Sequence, residues 1–138
     1  MIMSTDKNKS KTILVVEDEE YLRDLYVQIL KQEEYNVEAV VNGEEAYQKM
    51  SQKDYDLVIL DVILPKMDGL QVVDKLKKEG RSVNRNVVLL SNLGQELVVA
   101  KAIDLGVRGY MVKSDYTPEE LVKEVAGYLV DDGPKSEL

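Results

Sequence analysis

Leu57-Val58-Ile59-Leu60-Asp61-Val62-Ile63-Leu64-Pro65-Lys66-Met67-Asp68-Gly69-Leu70-Gln71 is the stretch that decides the fold. Leu57 to Leu60 are aliphatic throughout, so both faces of that run are apolar. Its length suits a strand, and its pattern a strand buried between two layers. Asp61 closes the run. Asp68, with Gln71 three residues on, has the spacing of a reciprocal helix cap. Leu70, Val73 and Leu76 then recur at helical spacing. A carboxylate therefore stands where a buried strand leaves its sheet.

The same strand-then-helix unit recurs on both sides. Ile13–Val16, Val37–Val41, Val87–Leu90 and Gly109–Val112 are further short apolar runs of strand length. Leu22, Leu25, Tyr26, Ile29 and Leu30 form one helical stripe, and Leu121, Val122, Val125 and Leu129 another. Asn42 with Glu45 and Thr117 with Glu120 repeat the cap spacing. Pro118 sits at a first helical position, and Gly80 and Gly106 are expected helix stops. Five β-α units of this kind predict an α/β fold: a doubly wound parallel sheet with helices on both faces. In such sheets the functional site lies at the carboxyl ends of the strands. One domain is expected over 12–130, after a flexible segment at 1–11 and before a tail at 131–138 carrying Gly133-Pro134.

Composition narrows the chemistry. The chain has 138 residues, 44% of them hydrophobic and 32% charged, and a formal net charge of −8. That balance argues against nucleic acid as a partner, since phosphate contacts need an excess of Lys and Arg. Cys and His are both absent, which excludes disulfides, thiolate chemistry, imidazole bases and Cys- or His-ligated metals. No apolar run is long enough for a membrane span, and the first residues lack the apolar core of a signal peptide. The expected location is cytoplasmic.

The polar residues at the strand ends are the informative ones. Glu17-Asp18 follow the first strand, Asp61 the third, Ser91 the fourth and Lys113 the fifth. The fold gathers them on one edge: three carboxylates, a hydroxyl and an ammonium. Carboxylates about 4 Å apart repel by roughly 4 kcal/mol per pair at an effective dielectric near 20. An all-oxygen ligand set of this kind selects a hard divalent cation. With charge neutralised, a carboxylate can act as nucleophile toward phosphorus.

The segments Ile13-Leu-Val-Val-Glu-Asp-Glu19, Leu57 to Gly69 and Gly109-Tyr-Met-Val-Lys113 resemble the receiver domains of two-component response regulators, over about Thr12 to Leu129. The resemblance implies a flavodoxin-like (βα)5 sheet of order 2-1-3-4-5, as in chemotaxis receivers. It implies that Asp61 accepts a phosphoryl group from a histidine kinase or phosphotransfer protein. Asp18, Asp61, Glu17 (through water) and the backbone carbonyl of Ile63 would hold Mg²⁺ or Mn²⁺. Ser91 would be the switch hydroxyl, Tyr110 the switch aromatic and Lys113 the phosphate-contacting lysine. A downstream protein would read the switch, and the fourth helix, fifth strand and fifth helix are an option for homodimerisation. Such a chain is a switch that loses its phosphoryl group slowly by itself, with no dedicated enzyme activity. The apolar groups of the fourth helix, Leu97, Val98, Val99, Ala100, Ala102, Ile103 and Leu105, spread around nearly its whole circumference. They suggest a partner surface there, with Val99 and Ile103 on it.

Four positions depart from the usual pattern. Ser114 follows Lys113 where the family usually has proline after a cis bond, and the sequence leaves that peptide's isomer open. Asn92 is larger than the usual residue after the switch hydroxyl and would restrict small phosphodonors. Ile63 and Leu93, two residues after Asp61 and Ser91, are apolar, so neither orients an attacking water. The alternative function is a pseudo-receiver, a binding module independent of phosphorylation. It would usually have lost the acceptor, the acid pair or the lysine, and all are present. A dehalogenase-type phosphatase would want an acid where Ile63 stands, and a flavodoxin-type phosphate loop would not be as acidic as Glu17–Glu20.

Overall fold

The alternation of apolar runs and amphipathic stretches resolves into β1 (Thr12–Val16), α1 (Glu20–Gln32), β2 (Asn36–Val40), α2 (Gly43–Gln52), β3 (Leu57–Asp61), α3 (Gly69–Lys78), β4 (Val87–Ser91), α4 (Glu96–Asp104), β5 (Gly109–Val112) and α5 (Pro118–Val130). The computed structural model describes residues 8–83, 86–92 and 94–130. The five strands form one parallel sheet of order β2-β1-β3-β4-β5. This is the expected flavodoxin-like arrangement in a single domain.

Side-chain alternation divides the sheet into two faces. Leu14, Val16, Val58, Leu60, Val87 and Leu89 meet Ala46 and Met50 of α2, Val72, Val73 and Leu76 of α3, and Ala102 of α4. Ile13, Val15, Leu57, Ile59, Val88 and Leu90 meet Tyr26 and Leu30 of α1 and Leu121, Val125 and Tyr128 of α5. Every residue of β3 and β4 is buried, which is why these strands read as unbroken apolar runs. Each fully buried aliphatic side chain of this size contributes about 1.5–3 kcal/mol. No helix among the described residues is long and apolar enough to cross a membrane.

The caps form as their spacing implies. Asn42 accepts from the Glu45 N–H at 2.8 Å. Asp68 and Gln71 exchange two bonds of 2.9 Å. Thr117 and Glu120 exchange bonds of 3.0 and 3.1 Å. Gly80 and Gly106 have φ of 84° and 91° and end α3 and α4. Val41 is not part of β2; its N–H turns to Glu45 Oε1 at 3.3 Å and belongs to the α2 cap.

Two features position the site. Asp61 and Ser91 are the last rungs of β3 and β4, opposite Leu90 and Val112, so both are held by the sheet. Gly69 brings α3 against the exit of β3: a Cβ there would meet the Asp61 carbonyl oxygen at 2.6 Å. At the opposite end, Asn8 to Lys11, expected within a flexible segment, make defined contacts. The Asn8 side chain donates to the Glu33 carbonyl at 2.6 Å, and the Asn36 side chain to the Lys9 carbonyl at 2.7 Å. Residues 1–7 and 131–138 lie outside the described residues.

Candidate functional site

Strand order reverses between β1 and β3, and the acids stand at that junction. β1 delivers Glu17 and Asp18, and β3 delivers Asp61. One carboxylate oxygen from each of the three lies within 4.8 Å of the others. Glu17 and Asp61 are buried, whereas Asp18 is exposed at the mouth. Oxygen donors at this spacing suit a hard divalent cation.

Lys113, which directly follows β5, reaches across to two of these acids. Its Nζ donates to Asp61 Oδ2 at 2.8 Å and to Glu17 Oε1 at 2.9 Å. The second oxygens are also held. Asp61 Oδ1 accepts from the Ile63 N–H at 3.3 Å, and Glu17 Oε2 accepts from the Glu19 N–H at 3.1 Å. Burial pushes Asp61 up to about 6; the Lys113 hydrogen bond opposes that shift, and the Glu17 charge adds to it. For Lys113, burial disfavours the ammonium, but the bonds to Asp61 and Glu17 outweigh it and its pKa is raised. The ammonium is therefore held as a cation, and burial disfavours the Asp61 charge.

Ser91 is buried at the end of β4. It lines the inner part of a groove of about 280 Å³ between α4 and β5, with Val99, Ala100, Ile103 and Tyr110. Tyr110, on the lining of that groove, is 45% exposed. Ile63 is 57% exposed beside Asp61, with its backbone at the site. The Lys113–Ser114 peptide is trans, and Lys113–Asp115 form a single 3₁₀ turn. Asn92 is exposed and donates its N–H to Gln95 Oε1 at 2.8 Å. Leu93 lies outside the described residues.

The fourth helix corrects one expectation. Val99 is not on the outer surface; it is 7% exposed and faces inward with Ala102. Leu97 and Ile103 are the exposed apolar groups, at 82% and 50%. Arg23 and Tyr26 were missed by the sequence reading. The Arg23 guanidinium donates to the carbonyls of Glu17 and Asp18 at 3.1 and 3.3 Å. Tyr26 is buried close enough to feel the charges of Lys113, Glu17 and Asp61, and burial raises its pKa. A lone cation just after the acidic run Glu17–Glu20 was the available signal for Arg23, whereas Tyr26 is indistinguishable in sequence from a core position.

A model of the response regulator receiver domain family matches residues 13–126. The chain belongs to that family. As a receiver, it is similar to the transcriptional regulatory protein SrrA of Staphylococcus aureus, at 32% identity over 120 residues. The match covers 87% of this chain and 48% of SrrA, so the receiver spans about half the length of that relative. Among solved structures, the receiver domain of NtrX from Brucella abortus matches with a TM-score of 0.75 at 28% identity, covering 87% of this chain and 99% of that one. The Francisella response regulator 1452 receiver domain has the same fold, with a TM-score of 0.76 at 21% identity, covering 87% of this receiver and 97% of that domain.

Proposed function

We propose that this receiver is an active phosphoacceptor: Asp61 takes a phosphoryl group from a histidine kinase or phosphotransfer protein and so switches a protein-binding surface. The observation that carries the reading is the Asp61 carboxylate itself, bonded to Lys113 at 2.8 Å within the three-acid cluster at the sheet's switch point. In the transfer, an Asp61 oxygen forms the new bond to phosphorus as the donor's P–N bond breaks. Lys113 stays charged throughout and is placed to follow the transferring oxygens. Ser91, one rung beyond Asp61 on the neighbouring strand, supplies a hydroxyl to the same group. Glu17, Asp18, Asp61 and the Ile63 backbone are the groups that would hold Mg²⁺ or Mn²⁺. Such an ion supplies neutralisation of the acids and of the phosphoryl oxygens when bound.

Phosphorylation adds about −1.5 to −2 charges. Moving a conformational balance from 1:99 to 99:1 takes about 5.5 kcal/mol of differential stabilisation, for which contacts from Lys113 and Ser91 are the source. The element best placed to respond is α4. It is nine residues long, has no side-chain N-cap bond and buries only Val99 and Ala102. The readers of that surface are protein partners, and a second copy of the receiver is one option.

Incubation with Mg²⁺ and an acyl-phosphate or phospho-kinase donor, followed by intact mass, tests the reading. Wild type gains one phosphoryl group, and Asp61→Asn gains none. A wild type that stays unmodified with every donor would make the domain a phosphorylation-independent binding module.

The phosphoryl group is expected to persist. Ile63 offers no hydrogen-bonding side chain to orient water, and it is 57% exposed two residues after Asp61. Ile63→Asn should shorten the aspartyl-phosphate half-life about tenfold, equivalent to about 1.4 kcal/mol off the hydrolysis barrier. The decay of the phosphorylated mass over time reads this directly. Equal half-lives in the two proteins would remove Ile63 from the account.

A further inference from the structure

We infer that Arg23 is a positioning residue for the cation site, holding the Glu17–Asp18 turn through its backbone; this rests on the metal-binding role proposed above. Arg23 lies near the start of α1, and among the described residues its guanidinium bonds to backbone rather than to any of the three carboxylates. Its Nη1 donates instead to the carbonyl oxygens of Glu17 at 3.1 Å and Asp18 at 3.3 Å. One guanidinium nitrogen thus clamps two successive peptide units, those that carry the two β1 acids.

The clamp matters because this turn lacks the usual one. α2, α3 and α5 each begin with a side chain bonded to the helix's own N–H groups. The N-cap of α1 is Glu19, which makes no such bond. Four acids, Glu17 to Glu20, follow one another here, and their repulsion favours opening the turn. Glu17 is independently secured, being buried and bonded to Lys113 and to the Glu19 N–H. Asp18 is exposed. Its position at the mouth follows from its backbone, and that backbone is what Arg23 holds.

Charge and position make opposite forecasts. Arg23 is a cation near a cation site, so by charge alone its removal would tighten divalent binding. As a positioning residue its removal weakens binding, because Asp18 is no longer held where its oxygen joins the other two. Groups that orient metal ligands typically cost 10–100-fold in affinity when lost, and a turn held by two bonds points to the lower end, about tenfold.

The test is Mg²⁺ titration of wild type, Arg23→Ala and Arg23→Lys by calorimetry, with Mn²⁺ electron paramagnetic resonance as a second readout. Arg23→Ala is expected to raise the Mg²⁺ Kd about tenfold, and Arg23→Lys, which keeps the charge and a donor to one carbonyl, to fall between. The Mg²⁺ concentration for half-maximal phosphorylation should rise in parallel, with the rate at saturating Mg²⁺ within twofold of wild type. Thermal melting in chelator separates this from unfolding: a variant that melts near wild type yet binds Mg²⁺ weakly supports the inference. Equal or tighter binding by Arg23→Ala, with wild type binding normally, overturns the role of Arg23 alone. No Mg²⁺ binding by wild type overturns the metal reading and this inference together.

Discussion

Lys113→Ala is expected to lower the melting temperature in metal-free buffer at pH 7.5 by about 10–20 °C, and to reduce phosphoryl acceptance by Asp61 even at saturating Mg²⁺. The cause is the company that Lys113 keeps. Its ammonium bonds to two carboxylates whose side chains are only 1% and 5% exposed. Taking away one partner of a buried ion pair leaves an uncompensated charge, at a cost of about 3–5 kcal/mol. Here one substitution strips two anions at once, and they lie within the same three-acid cluster. For a domain of this size 1 kcal/mol moves the midpoint by roughly 3–5 °C. Two further measurements identify the mechanism. Millimolar Mg²⁺ should recover a large part of the lost stability, because one cation replaces another. Adding Asp61→Asn to Lys113→Ala should also recover stability, because it removes one of the stranded charges. If Lys113→Ala melts with wild type in chelator, the two short contacts contribute nothing, and the electrostatic account of the site fails with them.

The layout of the sheet could be read in sequence because the central strands have no ambiguity to resolve. β3 and β4 are covered on both faces, so every residue had to be apolar until the polar one at the exit. β2 is an edge strand with partly exposed positions, and there the apolar run Val37–Val41 extends one residue past the strand's end at Val40. Local hydrogen-bond chemistry decided that boundary, since Glu45 draws the Val41 N–H into the α2 cap. The site residues could be placed at strand ends for the same reason that the strands could be found. Their pairings could not. Nothing in the spacing of Lys113 says that it takes Glu17 as well as Asp61. The inward turn of Val99 was equally hidden, because α4 is apolar on most sides and its pattern selects no face. Arg23 acts on backbone carbonyls, which leave no trace in a pattern of side-chain types.

Asp61→Asn is expected to melt above wild type at pH 7.5 in chelator, and the difference is expected to close as the pH falls from about 6 to about 4. In the folded receiver, burial holds the Asp61 carboxyl at about 6, with the Glu17 charge adding to the effect and Lys113 opposing it. In the unfolded chain an aspartate titrates near 3.9. Between those two values the folded state keeps a proton that the unfolded state has lost. Stability therefore rises as the pH drops through this window, and the penalty is complete above it. A shift of this size corresponds to about 3 kcal/mol at most, hence a gain of several degrees for an uncharged residue of the same shape. Divalent cation should reverse the order. Wild type offers three carboxylates and would gain stability on binding Mg²⁺, by RT ln(1 + [L]/Kd), whereas Asp61→Asn offers two. A wild type that melts above Asp61→Asn at pH 7.5 without metal would mean that Lys113 outweighs the burial of Asp61. The expected result and the loss on removing Lys113 then have one origin. The cluster sets three acids against the Lys113 ammonium, a shortage of positive charge that a bound divalent cation would relieve. The charge that makes Asp61 unfavourable in the resting fold is the charge that the proposed phosphoryl transfer requires.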